Sequence, residues 1–519
     1  MDSTTRLAPD RAGLVVLAVF ALLTLDVVNL FPKFRSPNEF SRYALVVSMA
    51  ERYRLDIDRE LSEFGNNEDK SSFAGHFYSN KAPGLSFAAL PLYVALRPLL
   101  GPATPDHFRA MFFLLRVGTV SLACFVALVV LRRRLRVLAE GSGAAPFVLF
   151  AVAFATPFGL YARSFFSHAW TASLLYLAFE LIERPSARGW PSALAGVLAG
   201  WAVLSEYPAA IVAVALLGRA LSRGPRRGIL FLAGALPAAV LLGAYDRACF
   251  GGIFELSSRH EASAEYRSLG ERASVGFGPP RPWIAAEFLF SESRGVLFES
   301  PLFLFLPVAL ARRRGELFCA ATTAVFFLVM CGYVNWHGGW SLGPRYLVAV
   351  LLLAAWPLAS WNPGRPARAA AAAAVVFSAA FFFLGGATFW FLPHQPFPTI
   401  RFFSAWFLAR GWIVPTWLGA TPAALGLPLA ATVVATVFAV GAWLPAVRDR
   451  WLAGGAGLAL FCLLFAGPPP AGTFSDRLVR ARVFSVDSGL DPERAELRAL
   501  APEARTESDR RSLAAALEH

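Results

Sequence analysis

Apolar runs long enough to cross a bilayer recur along the whole chain and are separated by short polar stretches. Clear examples are Gly13–Phe31, Gly228–Tyr245 and Ala423–Leu444, each about the 17–25 residues that a spanning helix needs. Within a membrane only helices and closed barrels satisfy every backbone hydrogen bond, and continuously apolar runs lack the alternation of a barrel. The pattern therefore predicts an all-α polytopic membrane protein.

The arginines indicate which loops share a side of the membrane, because clusters of them mark cytoplasmic loops. The run Leu85–Leu100 is short and contains two prolines and an arginine. If it lies along the outer surface instead of crossing, all the arginine clusters fall on one side. These clusters are Arg6/Arg11, Arg132–Arg136, Arg184/Arg188, Arg219–Arg227, Arg312–Arg314, Arg365/Arg368 and Arg448/Arg450. The short loops on the other side then hold only Arg163 and Arg345.

This topology predicts about thirteen spans with the N-terminus inside and the C-terminus outside. The transmembrane domain covers residues 1–467, and within it residues 32–108 form a first outer loop with juxtamembrane helices. The loops Arg247–Gly295 and Leu392–Thr421 also face outward. Residues 468–519 form a short polar tail on the outer side, expected to hold short amphipathic helices with little apolar surface for a core.

Composition removes several classes of protein. The chain has 519 residues, 56% of them hydrophobic, and a mean hydropathy of +0.52, which excludes a soluble enzyme. The net charge of +13 follows from the cytoplasmic arginines and does not indicate nucleic-acid binding. The cysteines are scattered without metal-ligand spacing, so neither a metal site nor a disulfide framework is predicted. Arg6 and Arg11 precede the first apolar run and no small-residue cleavage site follows it, which indicates an uncleaved anchor.

The first outer loop carries the clearest candidate chemistry. Glu39 begins a helical pattern in which Ser36 and Asn38 are plausible caps. The only lysines of the chain are Lys33, Lys70 and Lys81, all in this loop, and the Ala-Pro-Gly turn after Lys81 would hold its ammonium near the lipid headgroups. A carboxylate and a cation at the membrane surface suit chemistry on a lipid-linked phosphate. The plainer alternatives are a capping acid and an interfacial lysine.

Further candidates lie in other outer turns. Arg345 sits in the glycine-rich, aromatic loop Asn335–Tyr346 directly before a span, and it is a second candidate phosphate ligand. The candidate substrate-binding residues are Arg42, Tyr43, His168, Glu206, Tyr207 and His337. Each of these also has a plain alternative as a solvated loop residue or an aromatic-belt anchor. Asp26 lies inside the first span, where a charge costs on the order of 3 kcal/mol.

The residues of the first loop resemble a known group of enzymes. Asn38-Glu-Phe-Ser-Arg-Tyr-Ala44 resembles the acidic-pair plus Arg-Tyr-Ala segment of the lipid A aminoarabinose transferases, and protein O-mannosyltransferases carry a comparable acidic pair. Tyr78-Ser-Asn-Lys-Ala-Pro-Gly84 is similar to the Lys-Pro-Pro-Leu segment of the aminoarabinose enzymes. The resemblance covers roughly the first 130 residues, and continues later only through topology and the Gly-Pro-Arg-Tyr loop. It implies the GT-C glycosyltransferase fold, as a family-39-like member.

The resemblance also implies an activity. Such enzymes move a sugar from a polyprenyl-phosphate carrier to an acceptor hydroxyl, with inversion, on the outer or periplasmic side of the bacterial inner membrane. Glu39 would be the general base, while Lys81 and Arg345 would hold the leaving phosphate. Asn38 departs from the family by replacing the first acid, and His168 stands where relatives often carry a second-loop acid. No metal ligand is therefore predicted and no cofactor is implied with certainty, although a divalent metal stays open.

Three other classes of function stay open. One is an envelope polysaccharide polymerase or ligase, which would share the lipid carrier but use another acceptor. Another is a transporter or flippase of lipid-linked glycan, for which Asp26 is the one mild indication and for which paired charges near the bilayer midplane would be expected. A non-catalytic scaffold would follow if Asn38 marks a decayed site. The sequence names neither the sugar nor the acceptor.

Overall fold

The computed structural model describes most of the chain in eleven ranges. These are residues 10–26, 36–139, 142–185, 189–264, 267–268, 276–311, 317–388, 390–391, 400–466, 472–487 and 493–518. Some of the charged residues named above lie outside the described residues, namely Arg6, Lys33, Arg188 and Arg312–Arg314. Part of the expected outer loop Leu392–Thr421 lies outside them as well.

The described chain is almost entirely helical, as the apolar pattern predicts. Up to residue 250 the elements are α1 Arg11–Asp26, α2 Pro37–Arg52, α3 Asp58–Phe64, β1 Lys70–Phe73, β2 His76–Ser79, α4 Gly84–Leu100, α5 Phe108–Arg116, α6 Leu122–Leu138, α7 Ala144–Phe154, α8 Phe158–Tyr161, α9 Ser167–Glu183, α10 Trp190–Ser205, α11 Ala209–Ser222 and α12 Pro225–Phe250. Beyond it the α-helices are Pro282–Phe290, Val296–Glu299, Leu306–Ala311, Leu317–Met330, Val348–Ala354, Trp356–Ala359, Arg365–Ala387, Trp406–Ala409, Gly426–Trp443, Val447–Leu463, Phe474–Arg482, Ala495–Arg498 and Glu507–Glu518. Short 3-10 or π turns lie at Val117–Ser121, Ser257–Arg259, Pro301–Phe305, Arg345–Leu347, Ile400–Ala405, Pro422–Leu425, Val483–Asp487 and Ala501–Glu503.

Four of these helices are long and apolar enough to cross a membrane by length and composition: Phe108–Leu138, Pro225–Phe250, Arg365–Ala387 and Pro422–Trp443. The first of them is continuous because the turn Val117–Ser121 joins α5 to α6. Eight shorter apolar helices accompany them in the described residues, α4 among them. The protein is a multi-pass helical membrane protein, and the count of about thirteen spans stays a prediction.

Helix packing brings distant parts of the chain to one end of the bundle. α10 packs against both α9 and α12, and α9 also contacts Val348–Ala354. α1 packs against α6, α7 and Gly426–Trp443. One large apolar cluster runs through these helices, so the ends of α1, α9 and α10 are held in fixed relation.

The first outer loop folds as a small unit on this end. β1 and β2 pair antiparallel with Lys70 opposite Ser79, and Ser71 forms a bridge with Glu261 from a later loop. Beneath the hairpin a second apolar cluster joins α2 to the end of α12, and its buried residues are Phe40, Ala44, Leu45, Ile57, Leu61, Tyr245, Cys249 and Phe250. The loop is therefore a packed structure whose polar residues have fixed positions.

The tail contains short helices and a small apolar cluster of its own. The buried members of that cluster are Ala481, Leu497, Leu500, Leu513 and Ala516. Arg480 donates to the backbone carbonyl of Phe402 at 3.1 Å, and its guanidinium lies 4.4 Å from the ring centroid of Trp406. The described tail is thus folded and docked on the turn that precedes Trp406, and it has more apolar packing than its composition suggests.

Candidate functional site

The N-terminus of α2 places Glu39 in a closed environment. Ser36 caps the helix by accepting a hydrogen bond from the Glu39 amide at 3.4 Å, and Pro37 fits the first turn because it has no amide hydrogen to satisfy. The Glu39 side chain is only 4% exposed, and its Oε1 accepts a hydrogen bond from the backbone N–H of Phe165 at 2.7 Å. Burial raises the pKa of Glu39 to about 7, although that hydrogen bond, Arg116 and Arg42 each oppose the rise.

One turn further along α2, Arg42 ties three segments together. The side chain is buried, and its guanidinium donates to the side-chain and backbone oxygens of Asn38. It also donates to Ser167 Oγ at the start of α9 and lies 3.3 Å from Glu206 Oε1 at the end of α10. Asn38, which replaces an acid of the resembling family, therefore acts here as a partner of this arginine.

Glu206 is the more accessible of the two acids near α2. Its side chain is 16% exposed, and its Oε1 accepts from Ser167 Oγ and lies 3.4 Å from His168 Nδ1. The His168 ring is buried against Tyr346, with ring centroids 5.6 Å apart. His168, Glu206 and Arg42 thus form one connected group, which their spacing in the sequence does not reveal.

Lys81 lies in a second charged group, built on the hairpin. Its Nζ is 3.0 Å from Asp69 Oδ1, and the lysine side chain is 16% exposed. Asn80 donates to Asp69 Oδ1 at 3.5 Å and to Glu261 Oε2 at 2.9 Å. The pKa of Asp69 is lowered. Burial acts to raise it, but the positive charges of Lys81 and, more weakly, Arg345 outweigh burial. Burial raises the pKa of Glu261 to about 7 against the opposing effect of Lys81.

Arg345 stands between the two charged groups. It acts electrostatically on Asp69 of one group and on Arg42 of the other. Its guanidinium donates to the Tyr346 hydroxyl at 3.3 Å and lies 5.9 Å from the ring centroid of Phe166. Lys81 pairs with Asp69, and the charge of Arg345 also acts on that carboxylate. Lysine and arginine side chains both bind phosphate.

A buried arginine, Arg294, fixes the conformation of the loop that carries Arg345. Arg294 donates to the backbone carbonyls of His337 at 2.9 Å, Gly339 at 2.7 Å and Ser341 at 2.6 Å. Gly338, at φ +71°, passes so close to Arg345 that an added Cβ would lie 2.5 Å from the Arg345 Nε. The loop therefore holds Arg345 in one position.

Three further predicted residues make contacts of other kinds. Tyr43 is buried in an aromatic group, with its ring centroid 5.5 Å from that of Phe112. The Tyr207 hydroxyl faces Ser257 Oγ at 3.4 Å. His337 contributes its carbonyl to Arg294, and its Nδ1 accepts from the Gly339 amide at 3.0 Å. Tyr207 is linked through the Ser257 hydroxyl to the Asn80 carbonyl of the Lys81 group. A role in substrate binding stays a prediction for all three residues.

The sequence did not single out Asp69, Asn80, Glu261 or Arg294. A signal existed for Asp69 and Asn80, since both share the lysine-bearing loop with Lys81. No local signal marks Glu261 or Arg294, because their roles depend on contacts between segments far apart in sequence. The structure also places Asp56, Asp58 and His76 within 4.8 Å of one another. Asp56, however, is bonded to Arg52 and Arg54, and His76 Nδ1 lies 2.7 Å from Asp58 Oδ2, so each of the three side chains has a protein partner.

Comparison with known proteins gives structural neighbours only. No protein-family model and no curated protein sequence matches the chain. Among solved structures it is similar to ArnT from Cupriavidus metallidurans in the apo state, at 16% identity and a TM-score of 0.46 over 98% of this chain and 84% of ArnT. The same protein bound to undecaprenyl phosphate has 14% identity and a TM-score of 0.43, over 86% of this chain and 77% of ArnT. The oligosaccharyltransferase of Archaeoglobus fulgidus in the apo form has 13% sequence identity and a TM-score of 0.39, over 93% of this chain and 59% of the oligosaccharyltransferase.

These neighbours are glycosyltransferases of the GT-C fold, the group that the first-loop residues resemble. Because each of these TM-scores lies below 0.5 and each identity is 16% or less, function is inferred below from this chain's own side chains.

Proposed function

We propose that the protein is a membrane glycosyltransferase that moves a sugar from a polyprenyl-phosphate carrier to an acceptor hydroxyl, with inversion at the anomeric carbon. The observation that carries this proposal is that Lys81 pairs with Asp69 while the charge of Arg345 acts on the same carboxylate. These two partly accessible cations lie next to a second group that contains Glu206 and His168. An anionic headgroup with an attached sugar has charge partners on one side of this site and hydrogen-bonding partners on the other.

In this proposal Lys81 and Arg345 bind the phosphate and neutralise the charge that grows on it as the carrier leaves. Glu39 takes the proton of the acceptor hydroxyl while the acceptor oxygen attacks the anomeric carbon and the bond to the phosphate breaks. A pKa raised to about 7 suits a general base near neutral pH. Glu206, which pairs with Arg42, is the neighbouring carboxylate, and in this proposal it and His168 contact sugar hydroxyls.

The proposal includes the topology that the sequence predicts. About thirteen spans would place the first loop, the Arg345 loop and the site on the periplasmic side of a bacterial inner membrane. Residues 1–467 would form the GT-C domain and residues 468–519 the appended tail. The acceptor is a lipid, glycan or protein hydroxyl, and the chemistry described here needs no metal at the reacting atoms.

The test is release of polyprenyl phosphate from a panel of polyprenyl-phosphate sugars by the purified protein in lipid nanodiscs. Wild type would be compared with Glu39→Gln and Lys81→Ala, and we expect each variant to lose roughly 10²- to 10⁴-fold in rate. Lys70→Ala is the matched control, because Lys70 lies in the same loop and pairs with Asn66 away from Asp69. It should release carrier at the wild-type rate.

A Glu206→Gln variant distinguishes whether Glu39 or Glu206 is the general base. Loss of release in Glu206→Gln with full release in Glu39→Gln would move the base to Glu206 and leave the enzyme class intact. Equal release by wild type, Glu39→Gln and Lys81→Ala would discard the site. Binding of the lipids without release from any donor would discard the transferase in favour of a carrier.

A further inference from the structure

The long helix that joins α5 to α6 contains a π turn, Val117–Ser121, directly after the buried Arg116. In an α-helix, with about 3.6 residues per turn, the residue five positions along lies on another side of the helix. The wider π turn brings that residue back toward the same face, and the Arg116 Nη1 donates to Ser121 Oγ at 3.2 Å. The Arg116 Nη2 donates to the Thr24 carbonyl near the end of α1 at 2.9 Å. The guanidinium is therefore fixed between α1 and the π turn.

Arg116 and Glu39 are anchored to the same short segment before α9. Ser121, the partner of Arg116, donates to the Ala162 carbonyl at 2.8 Å. Three residues later, the Phe165 amide donates to Glu39 Oε1 at 2.7 Å. Both charged side chains are buried, so their charges act on each other with little screening by water. The structure therefore holds the carboxyl and the guanidinium in a fixed relation.

Arg116 differs from Arg42, the other arginine whose charge acts on Glu39. Arg42 has an acid of its own, because Glu206 Oε1 lies 3.3 Å from its guanidinium, and part of its charge is neutralised there. In the described chain no carboxylate lies within ion-pair distance of Arg116, and its hydrogen bonds go to uncharged oxygens. Arg163 also acts on Arg116, and its charge is positive too. Arg116 therefore has the larger effect of the two arginines on Glu39.

We propose that Arg116 is a positioning residue of the site, whose charge holds the buried Glu39 carboxyl in the ionised form that accepts a proton. Because Glu39 is the general base of the proposed function, this role rests on that function. Burial disfavours an ionised carboxyl, and it raises the pKa of Glu39 to about 7 even with Arg116 in place. Without the arginine the pKa would rise further, and a smaller fraction of the carboxyl would be a base at neutral pH. Arg116 acts through Glu39 and need not touch the substrate.

The pH dependence of carrier release tests this role in the full-length protein in lipid nanodiscs, with a donor that wild type cleaves. Wild type would be compared with Arg116→Met, which removes the charge, and with Arg116→Lys, which keeps it. We expect the midpoint of the rising limb to move up by about one pH unit in Arg116→Met and to keep the wild-type value in Arg116→Lys. At high pH, where Glu39 is ionised in every variant, the rate of Arg116→Met should approach that of wild type. A purely structural role would lower the rate at every pH and leave the midpoint unchanged.

A second pair of variants leaves Arg116 in place. Ser121→Asp puts a carboxylate where the guanidinium now donates to a hydroxyl, so it neutralises the charge locally and should also raise the midpoint. Ser121→Asn is the matched uncharged change and should keep the wild-type midpoint. Arg134→Gln controls for the loss of an arginine elsewhere on the same helix, because Arg134 pairs with Glu180, and it should keep that midpoint too. If Arg116→Met does not fold, the two changes at Ser121 decide.

Infrared titration in a detergent without ester groups separates the effect of Arg116 from the proposed function. The C=O band of the protonated Glu39 carboxyl is the band that Glu39→Gln lacks, and its midpoint is measured without any substrate. If no donor releases carrier, the proposed function fails, while an upward shift of this band's midpoint in Arg116→Met still supports the effect of the charge on Glu39. An unchanged midpoint in Arg116→Met, an equal shift in Arg116→Lys, or equal midpoints in Ser121→Asp and Ser121→Asn would overturn the proposal.

Discussion

Single residues in this site have roles that depend on a partner from another segment. Asn38 stands where the resembling family has an acid, and its oxygen accepts from Arg42. With an amide there, the arginine needs a carboxylate from elsewhere, and Glu206 at the end of α10 provides it. The helix start around Ser36, Asn38 and Glu39 follows from local capping rules. The partner of Arg42 does not, because it lies more than a hundred residues away.

The pH dependence of transfer is the first residue-scale prediction. Because the pKa of Glu39 is raised to about 7, the carboxyl is protonated below that pH and becomes a base above it. We expect the rate of carrier release to rise about tenfold per pH unit below 7 and to level off above it. Glu261 also has a pKa of about 7, so Glu261→Gln is the matched control. The titration belongs to Glu39 if the pH–rate profile of Glu261→Gln matches that of wild type and the residual activity of Glu39→Gln does not change with pH.

The second residue-scale prediction concerns Arg42. Removing it in Arg42→Ala leaves Glu206 and the Asn38 oxygen without their buried donor, at a cost of about 3 kcal/mol in unfolding free energy. The measurement is chemical unfolding of the purified protein. A second change, Glu206→Gln, should recover part of the loss because it removes the uncompensated charge. Strict additivity of the two changes would contradict the coupling described here.

At the scale of elements, the loop Asn335–Tyr346 shows what a sequence can and cannot tell. Its glycines, aromatics and single outer arginine are enough to mark it as a candidate from the sequence alone. Its conformation depends on Arg294, which enters from another loop and bonds three of its carbonyls. No periodicity or spacing marks Arg294, so sequence reasoning finds Arg345 and misses the residue that positions it. It misses the contact of Glu261 with Asn80 for the same reason. The hairpin β1–β2 is a local element that closes through Ala74 and Gly75, and it is not among the predicted elements.

This loop yields a prediction on geometry. In Gly338→Ala the added methyl meets the Arg345 Nε at 2.5 Å and the backbone keeps a φ of +71° that alanine disfavours. Arg345 must move, and we expect roughly tenfold or greater loss of carrier release, since misplacement by about 1 Å costs about that or more. Gly101→Ala is the matched control, because Gly101 has φ +77° and no atom near its added Cβ. If both variants lose activity equally, backbone strain and not the displaced arginine is responsible.

At the scale of the whole molecule, the apolar pattern predicts an all-helical membrane protein, and the described structure is mainly helical with one two-stranded hairpin, β1–β2. The tail is the part that composition describes least well. Its residues look too polar for a core, yet they enclose a small cluster and dock through Arg480 on Phe402 and Trp406. Docking of this kind depends on a few contacts between segments and not on average hydropathy.

The tail gives the whole-molecule prediction. Arg480→Ala removes a hydrogen bond and two ring contacts, together about 1–2 kcal/mol. We expect protease to cleave the tail roughly tenfold faster while the helical bundle stays resistant. Arg511→Ala is the control, because Arg511 is mostly exposed and pairs only with its helix neighbour Glu507. Equal cleavage of both variants would show that the tail is held by other contacts.

The positions of Lys81, Asp69 and Arg345 along the chain have a consequence during synthesis of the protein. Lys81 and Asp69 leave the ribosome early, whereas Arg345 follows after most of the bundle has been synthesised. At about 5–20 residues per second, an interval on the order of ten seconds or more separates them. During that interval the first loop holds its acid and its lysine without the second cation. Under the proposed function, the nascent chain would therefore be unable to hold a lipid phosphate with both cations until Arg345 has been synthesised.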